Sequence, residues 1–354
     1  MSARASNICV KTSANAALRR AWRLPVLIAA FSAADCSVIS HKAKSSLGRQ
    51  PTAAEDAQFW VEPSDLARRD LFHGVGGDKH APDPSATYRF VSKKSGTSPG
   101  YTVLDPKGVE WSVKLGPEGQ AEVTVSRLLW AIGYHQPPVY YLAGWTLAGG
   151  PTPGQQSAGR FRPDLAAWKE AGPWSWYRNP FVETQPFRGL IVFMRIVNNW
   201  DLLNRNNMVY ELADTRGGDR RLHVVKDLGA SFGKTQLFPH QGSKNVLEEF
   251  ERQDFIKKVE AGEVSFDDVG RRHRGLYESI SPSDVRWACE RLSRLSPKQW
   301  TEAFRVGGYR EQESERFIRK IQEKIRRGLA LPDTARALSL WDRGGERQVP
   351  NARP

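Results

Sequence analysis

Cysteine is scarce in this chain. Three occur in 354 residues, at positions 9, 36 and 289, with neither the spacing of a metal site nor an even framework for disulfides. A zinc-ribbon or disulfide-stapled architecture is therefore excluded. Histidine is sparse too: His135, His223, His240 and His273 are scattered without ligand spacing, which argues against zinc. No G-x-S-x-G turn is present, against a serine hydrolase of that type. Apart from LPVLIAAFSAA at 24–34, nothing approaches the ~20 apolar residues of a membrane span. No basic run interleaved with aromatics marks a nucleic-acid stripe, and RRHR at 271–274 is short enough to be a solvated loop, so nucleic acid is not an expected partner. There is no internal repeat. Acid is in deficit, 39 Asp and Glu against 52 Lys and Arg for a net charge of +13, which favours a phosphate-bearing or acidic partner.

What is present is a foldable, aromatic chain: 40% hydrophobic with 12 Trp, far from the composition of a disordered protein. Its length suggests two lobes or domains. Residues 1–36 read as a leader, with Arg19, Arg20 and Arg23 ahead of the apolar run and small residues at Ser32 and Ala34. Export to a periplasm or the outside follows, or lipid attachment at Cys36, although Asp35 stands where a small residue is expected. If the segment instead reflects a displaced start, the protein is cytoplasmic. The mature chain carries no expected transmembrane span. Cys289, on an expected helix, reads as buried filler.

Residues 37–85 are polar and punctuated by Gly and Pro, an irregular N-terminal arm. From 86 to 148 the runs ATYRFVSKK, YTVLDPKG, VEWSVKLG and VYYLAGWTL predict an antiparallel β-rich lobe. Its one helix, AEVTVSRLLWAIGY, has Val125, Leu128, Leu129 and Ile132 on one face and Gly133 as its stop. Residues 149–185, rich in Gly, Pro and Trp, predict an insertion or connection with little regular structure. PFRGLIVFMRIVNN predicts a buried helix, and MVYEL and RLHVVKDL two short strands about the turn ADTRGGDR. After 245 the pattern is helical, with Ser283 and Ser296 as expected N-caps and a last helix lined by Phe317, Ile318, Ile321 and Ile325. Residues 186–335 thus form a helical C-terminal lobe and 336–354 a loose tail. The fold class is α+β, with a cleft between unlike lobes.

Two lone acids end apolar elements: Asp201 in NNWDLLNRNN and Asp227 in HVVKDLGASFG. Phosphoryl transfer needs a carboxylate near the attacking hydroxyl, oxygen ligands for Mg²⁺ and a cation on the phosphates. Asp201 suits the first role, and Asn206 with Asp227 the second, since Mg²⁺ needs few protein oxygens when phosphates complete its shell. Asn204 or Asn207 could replace Asn206. Lys114, in the strand WSVKLG, is the cation; a Lys there calls for a partner, and Glu122, in the first turn of the next helix, can supply one. The turn SKKSGTSPG offers Ser95, Gly96 and Gly100 to close over phosphates.

The D-x-x-x-x-N spacing of Asp201 and Asn206, the D-L-G at 227–229 and the strand Lys with a helix Glu resemble the protein-kinase-like superfamily. They are nearest its atypical branches, the HipA-type and phosphoinositide 3- and 4-kinases. Several of these segments also look like a set recurring in uncharacterised bacterial proteins. The resemblance implies a bilobal kinase-like fold, a small antiparallel β lobe with one helix plus a mostly helical C-terminal lobe, that binds ATP and Mg²⁺. Lys114 would hold the phosphates, Glu122 would position Lys114, Asp201 would be the base, and Asn206 and Asp227 the metal ligands. Two departures stand out: there is no G-x-G-x-x-G loop, and Asn199-Trp200 precede Asp201 where many members have His-Arg.

The expected activity is ATP- and Mg-dependent phosphotransfer. The alternatives are a pseudokinase that binds nucleotide or scaffolds without transferring, and adenylyl transfer from the same pocket. KTQLFPHQGSK at 234–244 lies where an acceptor loop would, and Lys234 and Lys244 favour an anionic acceptor: protein, lipid headgroup or small molecule.

Overall fold

The computed structural model describes residues 42–94, 98–212, 220–235, 242–267 and 273–332. The leader, Ser95 and Gly96, most of the turn at 213–220, part of the segment 234–244 and the C-terminal tail lie outside the described residues.

The arm contains β1 (Lys44–Ser45), α1 (Ala53–Asp56) and short 3₁₀ turns. It is irregular but anchored: Phe59 and Leu71 are fully buried in the main core. Arg127 donates to Leu71 O at 3.1 Å, and Gln299 donates to Leu66 O at 2.7 Å.

β2 (Thr87–Lys93), β3 (Gly100–Leu104) and β4 (Glu110–Leu115) pair antiparallel, as the turn-separated runs predict. α2 (Glu118–Ala131) follows, then β5 (Tyr140–Ala148) and β6 (Gly154–Pro163). The order β2-β3-β4-β6-β5 closes into a barrel, the last seam being the parallel pair β2–β5. The interior holds Tyr88, Val103, Trp111, Val113, Trp145 and Phe161.

The expectation of little regular structure over 149–185 is thereby corrected. β6 and β7 (Trp168–Gly172) both lie there, and β6 pairs with β4 on one side and β5 on the other. Gly and Pro punctuate the turns, but the ladder with β5 imposes a strand on GQQSAG, whose side chains alone do not specify one. β8 (Arg178–Asn179) joins β1.

α3 (Gln185–Ile196) is the buried helix expected, capped by Thr184, whose hydroxyl accepts from Phe187 N. β9 (Asn207–Leu212) and β10 (Arg220–Val225) form the expected strand pair, with Met208 opposite Val224, and β7 adds to the β9 edge.

α4 (Leu247–Arg252) precedes β11 (Ile256–Glu260) and β12 (Glu263–Phe266), a hairpin inside a region that reads as helical. Only Ile256, Val264 and Phe266 of its strands are buried, and Ala261-Gly262 turn it at φ +50° and +78°. α5 (Arg274–Tyr277) leads to α6 (Pro282–Ser293), α7 (Pro297–Val306) and α8 (Glu311–Leu329).

Ser283 is not a cap. Pro282, with no N–H to satisfy, takes the first helical position, so the cap is Ser281, which forms a reciprocal box with Asp284. Ser296 caps α7 with Gln299 as expected. Cys289 is buried on α6, its thiol pushed up to about 12 by burial, as filler should be. No helix among the described residues is long and apolar enough to cross a membrane. The fold class is thus mixed: a β-barrel, smaller sheets and a set of packed helices.

Candidate active site

Alternation along β4 sends Trp111 and Val113 into the barrel and leaves Ser112 and Lys114 on its outer face. Gly116, at φ +93°, turns the chain into α2. Because α2 begins at Glu118, that residue is the first-turn acid, and Glu122 lies one turn deeper than its expected first-turn place. Four residues apart, the two share a helix face.

Three carboxylates meet one ammonium. Lys114 Nζ lies 2.9 Å from Asp227 Oδ1, 3.1 Å from Glu122 Oε2 and 3.3 Å from Glu118 Oε2. Glu122, only 1% exposed, also meets Arg160 Nε at 3.0 Å and Arg162 Nη2 at 2.7 Å. The alternating R-F-R of β6 puts both guanidiniums on one face while Phe161 fills the barrel. Burial pushes the Glu122 carboxyl upward, but Arg160, Lys114 and Arg162 overcome it and hold its pKa down at about 2. Burial likewise works against the Lys114 ammonium, and Glu122 and Asp227 hold it above the ordinary lysine value. Lys94 is pushed down to about 8 by burial and the nearby Arg160 and Arg162.

Asp201 follows α3 and lines the same cavity of about 210 Å³ as Gly100, Lys114, Glu118 and Asp227. A larger cavity of about 640 Å³ shares Lys94 with it and is lined by Ser112, Pro138, Arg162, Tyr210 and Lys226 among others. Gly100 also lets β3 close on β4, since a Cβ there would fall 2.3 Å from Val113 O. Gly229 is equally constrained: its Cβ would fall 2.9 Å from Glu118 Cβ, so the D-L-G turn packs on the start of α2.

The asparagines of NNWDLLNRNN build the loop that carries Asp201. Asn198, at φ +53°, donates to Gly233 O at 2.8 Å, and Asn199 donates to Ser231 Oγ at 3.0 Å while its oxygen accepts from Asp201 N at 3.1 Å. The Trp200 indole donates to Ser243 O at 2.9 Å. Asn199 and Trp200, the departures from the family pattern, thus brace the Asp201 loop against Ser231 and Ser243. Asn204 Oδ1 accepts from Trp176 N, and Asn207 donates to Trp174 O. Asn206 donates its amide nitrogen to Asp201 O at 2.9 Å and accepts the Lys226 and Asp227 amides on its carbonyl. Its side-chain oxygen is the atom left for a cation.

Lys114, Glu122, Asp201, Asn206, Asp227 and Gly100 are therefore brought together. Three contributors escaped the sequence reading. Glu118 carried a signal in the i, i+4 pair with Glu122, and Arg160 and Arg162 in the R-F-R alternation. Lys244, from the segment expected as an acceptor loop, reaches Glu118 Oε1 at 2.6 Å and lines the small cavity.

No protein-family profile and no curated protein sequence matches the chain. Among solved structures it is similar to the Helicobacter pylori proinflammatory kinase CtkA, at 11% identity over 73% of this chain and 99% of that one, with a TM-score of 0.40. It is similar to the Golgi casein kinase with Mn and ADP bound, at 9% identity over 70% and 73%, TM-score 0.38. A third is hydra Fam20 with sugar, at 11% identity over 78% and 98%, TM-score 0.35. These structural neighbours belong to the atypical kinases.

Proposed function

We propose that the chain is a phosphotransferase with a bilobal, kinase-like arrangement, the barrel and α2 forming the small lobe and the helices after α3 the large one. The observation that carries this reading is the convergence of Glu122 and Asp227, far apart in the chain, on the Lys114 ammonium, in a cavity that Lys114, Asp227 and Asp201 line. Lys114 would orient the phosphates of a nucleoside triphosphate, with Glu122 fixing its amine and Arg160 and Arg162 fixing Glu122. Asp201 would accept the proton of the acceptor hydroxyl. The donor set at Asn206 and Asp227, one amide oxygen and one carboxylate, suits a hard ion such as Mg²⁺. No group of three His, Cys, Asp or Glu side chains able to hold a metal occurs among the described residues, so phosphates would have to complete the shell. A bound Mg²⁺ would neutralise charge on those phosphates; Asn206 and Asp227 would hold it. The larger cavity, which shares Lys94 with the small one, has the size and the Pro and Tyr faces to take a nucleoside.

Mg-ATP is expected to raise the melting temperature, by about 2.7 kcal/mol of stabilisation at a hundredfold excess over Kd, and Asp227→Ala to abolish the shift. Asp201→Ala should keep binding and lower turnover by about 10²–10⁴. Binding without transfer in the wild type would identify a pseudokinase.

Adenylyl transfer is the second reading. Lys94, Arg162 and Lys226 bring cations to the larger cavity, where a reversed polyphosphate would find partners. Incorporation of label from the α rather than the γ position of ATP decides for it.

A further inference from the structure

Glu118 bridges two ammonium groups at the mouth of α2. Its Oε1 lies 2.6 Å from Lys244 Nζ and its Oε2 3.3 Å from Lys114 Nζ, and Ser98 Oγ donates to Oε2 at 3.0 Å. Together these donors grip the carboxylate as they would the oxygens of a phosphoryl group. The cations come from opposite sides of the cavity: Lys114 from β4, Lys244 from the chain following the D-L-G turn.

Lys244 is placed, not merely nearby. Its ammonium lies 5.4 Å from the centroid of the Trp200 ring, one residue before Asp201. Asn245, at φ +53°, donates its amide to Pro117 O and to Gln120 Oε1, each at 3.1 Å, tying the segment to the first turn of α2. The Tyr309 hydroxyl holds the Asn245 oxygen from the other side. Backbone bonds from Asn245 N to Ser231 O and from Val246 N to Phe232 O fasten it to the turn after Asp227. So many ties on one short segment hold Lys244 at the cavity that Asp201 and Asp227 also line.

We propose that Lys244 is a second phosphate-binding cation of the site, and that Glu118 competes with the terminal phosphate of a nucleoside triphosphate for the Lys114–Lys244 pair. Lys244 thereby sets the preference for tri- over diphosphate. This rests on the nucleotide reading above. Lys114, mostly buried and triply paired, serves whatever part of the polyphosphate lies deepest. Lys244, about a quarter exposed (27%), stands nearer the entrance and suits the outermost group. A terminal phosphate brings more charge than the Glu118 carboxylate and displaces it; a diphosphate, one group shorter, leaves the Lys244–Glu118 pair closed.

The test is calorimetric titration of the full chain with Mg-ATP and Mg-ADP. Lys244→Met is expected to weaken ATP by about tenfold while moving ADP less than about twofold, the loss of one charge-assisted contact. Lys244→Arg should restore most of the ATP affinity. Glu118→Gln, which removes the competitor but keeps the shape, should tighten ATP and leave ADP nearly unchanged. Equal weakening of both nucleotides by Lys244→Met, or an unchanged ratio, overturns the assignment of Lys244 while leaving the nucleotide site standing. Failure of the wild type to bind either nucleotide removes that site and this inference together.

Discussion

Glu122 is the residue on which the ion cluster turns. It is buried, and it pairs with Lys114, Arg160 and Arg162 at once. Removing the charge leaves guanidiniums buried beside a neutral group, so Glu122→Gln is expected to cost about 3–5 kcal/mol of unfolding free energy by urea titration. Its pKa is depressed in the folded state, so the stability it contributes is complete above the ordinary carboxyl value of 4.5 and is lost as pH falls from there toward about 2. A variant lacking the carboxylate should show a flatter acid limb over that window. At this scale much was legible. Lys114 stood out as a charge in an apolar strand, and Asp201 and Asp227 as acids ending apolar elements. Glu118 and Lys244 gave weaker signs, the spacing from Glu122 and a positive charge near the D-L-G turn, because an acid in a first helical turn and a lysine in a polar segment are ordinary wherever they occur.

Among the elements, periodicity and caps served well where one element explains itself. α3, the Ser296 box of α7 and the Ile-lined face of α8 were all written locally. β6 and the β11–β12 hairpin were not, since their residues become strands through partners distant in sequence or through a turn that few side chains mark. α8 also carries a device that periodicity hides. Lys324, wholly buried on it, donates to Ile196 O at 3.0 Å and Asn198 Oδ1 at 2.8 Å, with the Phe250 ring 4.3 Å from its ammonium. It thus closes the C-terminal end of α3, where the Asp201 loop begins. Lys324→Met should leave both oxygens without this donor and cost about 1–3 kcal/mol. The proposed phosphotransfer should fall with it, a pairing measurable by denaturation and by labelled ATP.

The whole molecule depends on its irregular arm. Beyond the contacts of Phe59, Leu66 and Leu71, His223 N donates to Gln58 O at 2.8 Å, and the His135 ring lies 2.8 Å from Ala57 O. Deleting residues 42–85 is therefore expected to abolish cooperative unfolding of the remainder, as followed by circular dichroism. The same region sets a pH response. Burial pushes His135 and His223 down to about 4, from an ordinary value of 6.5. The unfolded chain binds their protons first, so stability is unaffected at neutral pH and declines as pH falls from about 6.5 toward 4. Substituting His135→Gln should remove part of that slope in melting temperatures taken across the range.

The sequence by itself determined the mixed helix and strand content, four of the five barrel strands, the main helices and the residue types of the candidate site, because alternation, helical spacing and lone charges in apolar runs are local. Closure of the barrel, the grip of Arg160 and Arg162 on Glu122, and the arrival of Lys244 opposite Lys114 were decided only by tertiary structure. Each joins groups far apart in the chain, and no local preference records which distant charge a folded backbone will place within 3 Å of another.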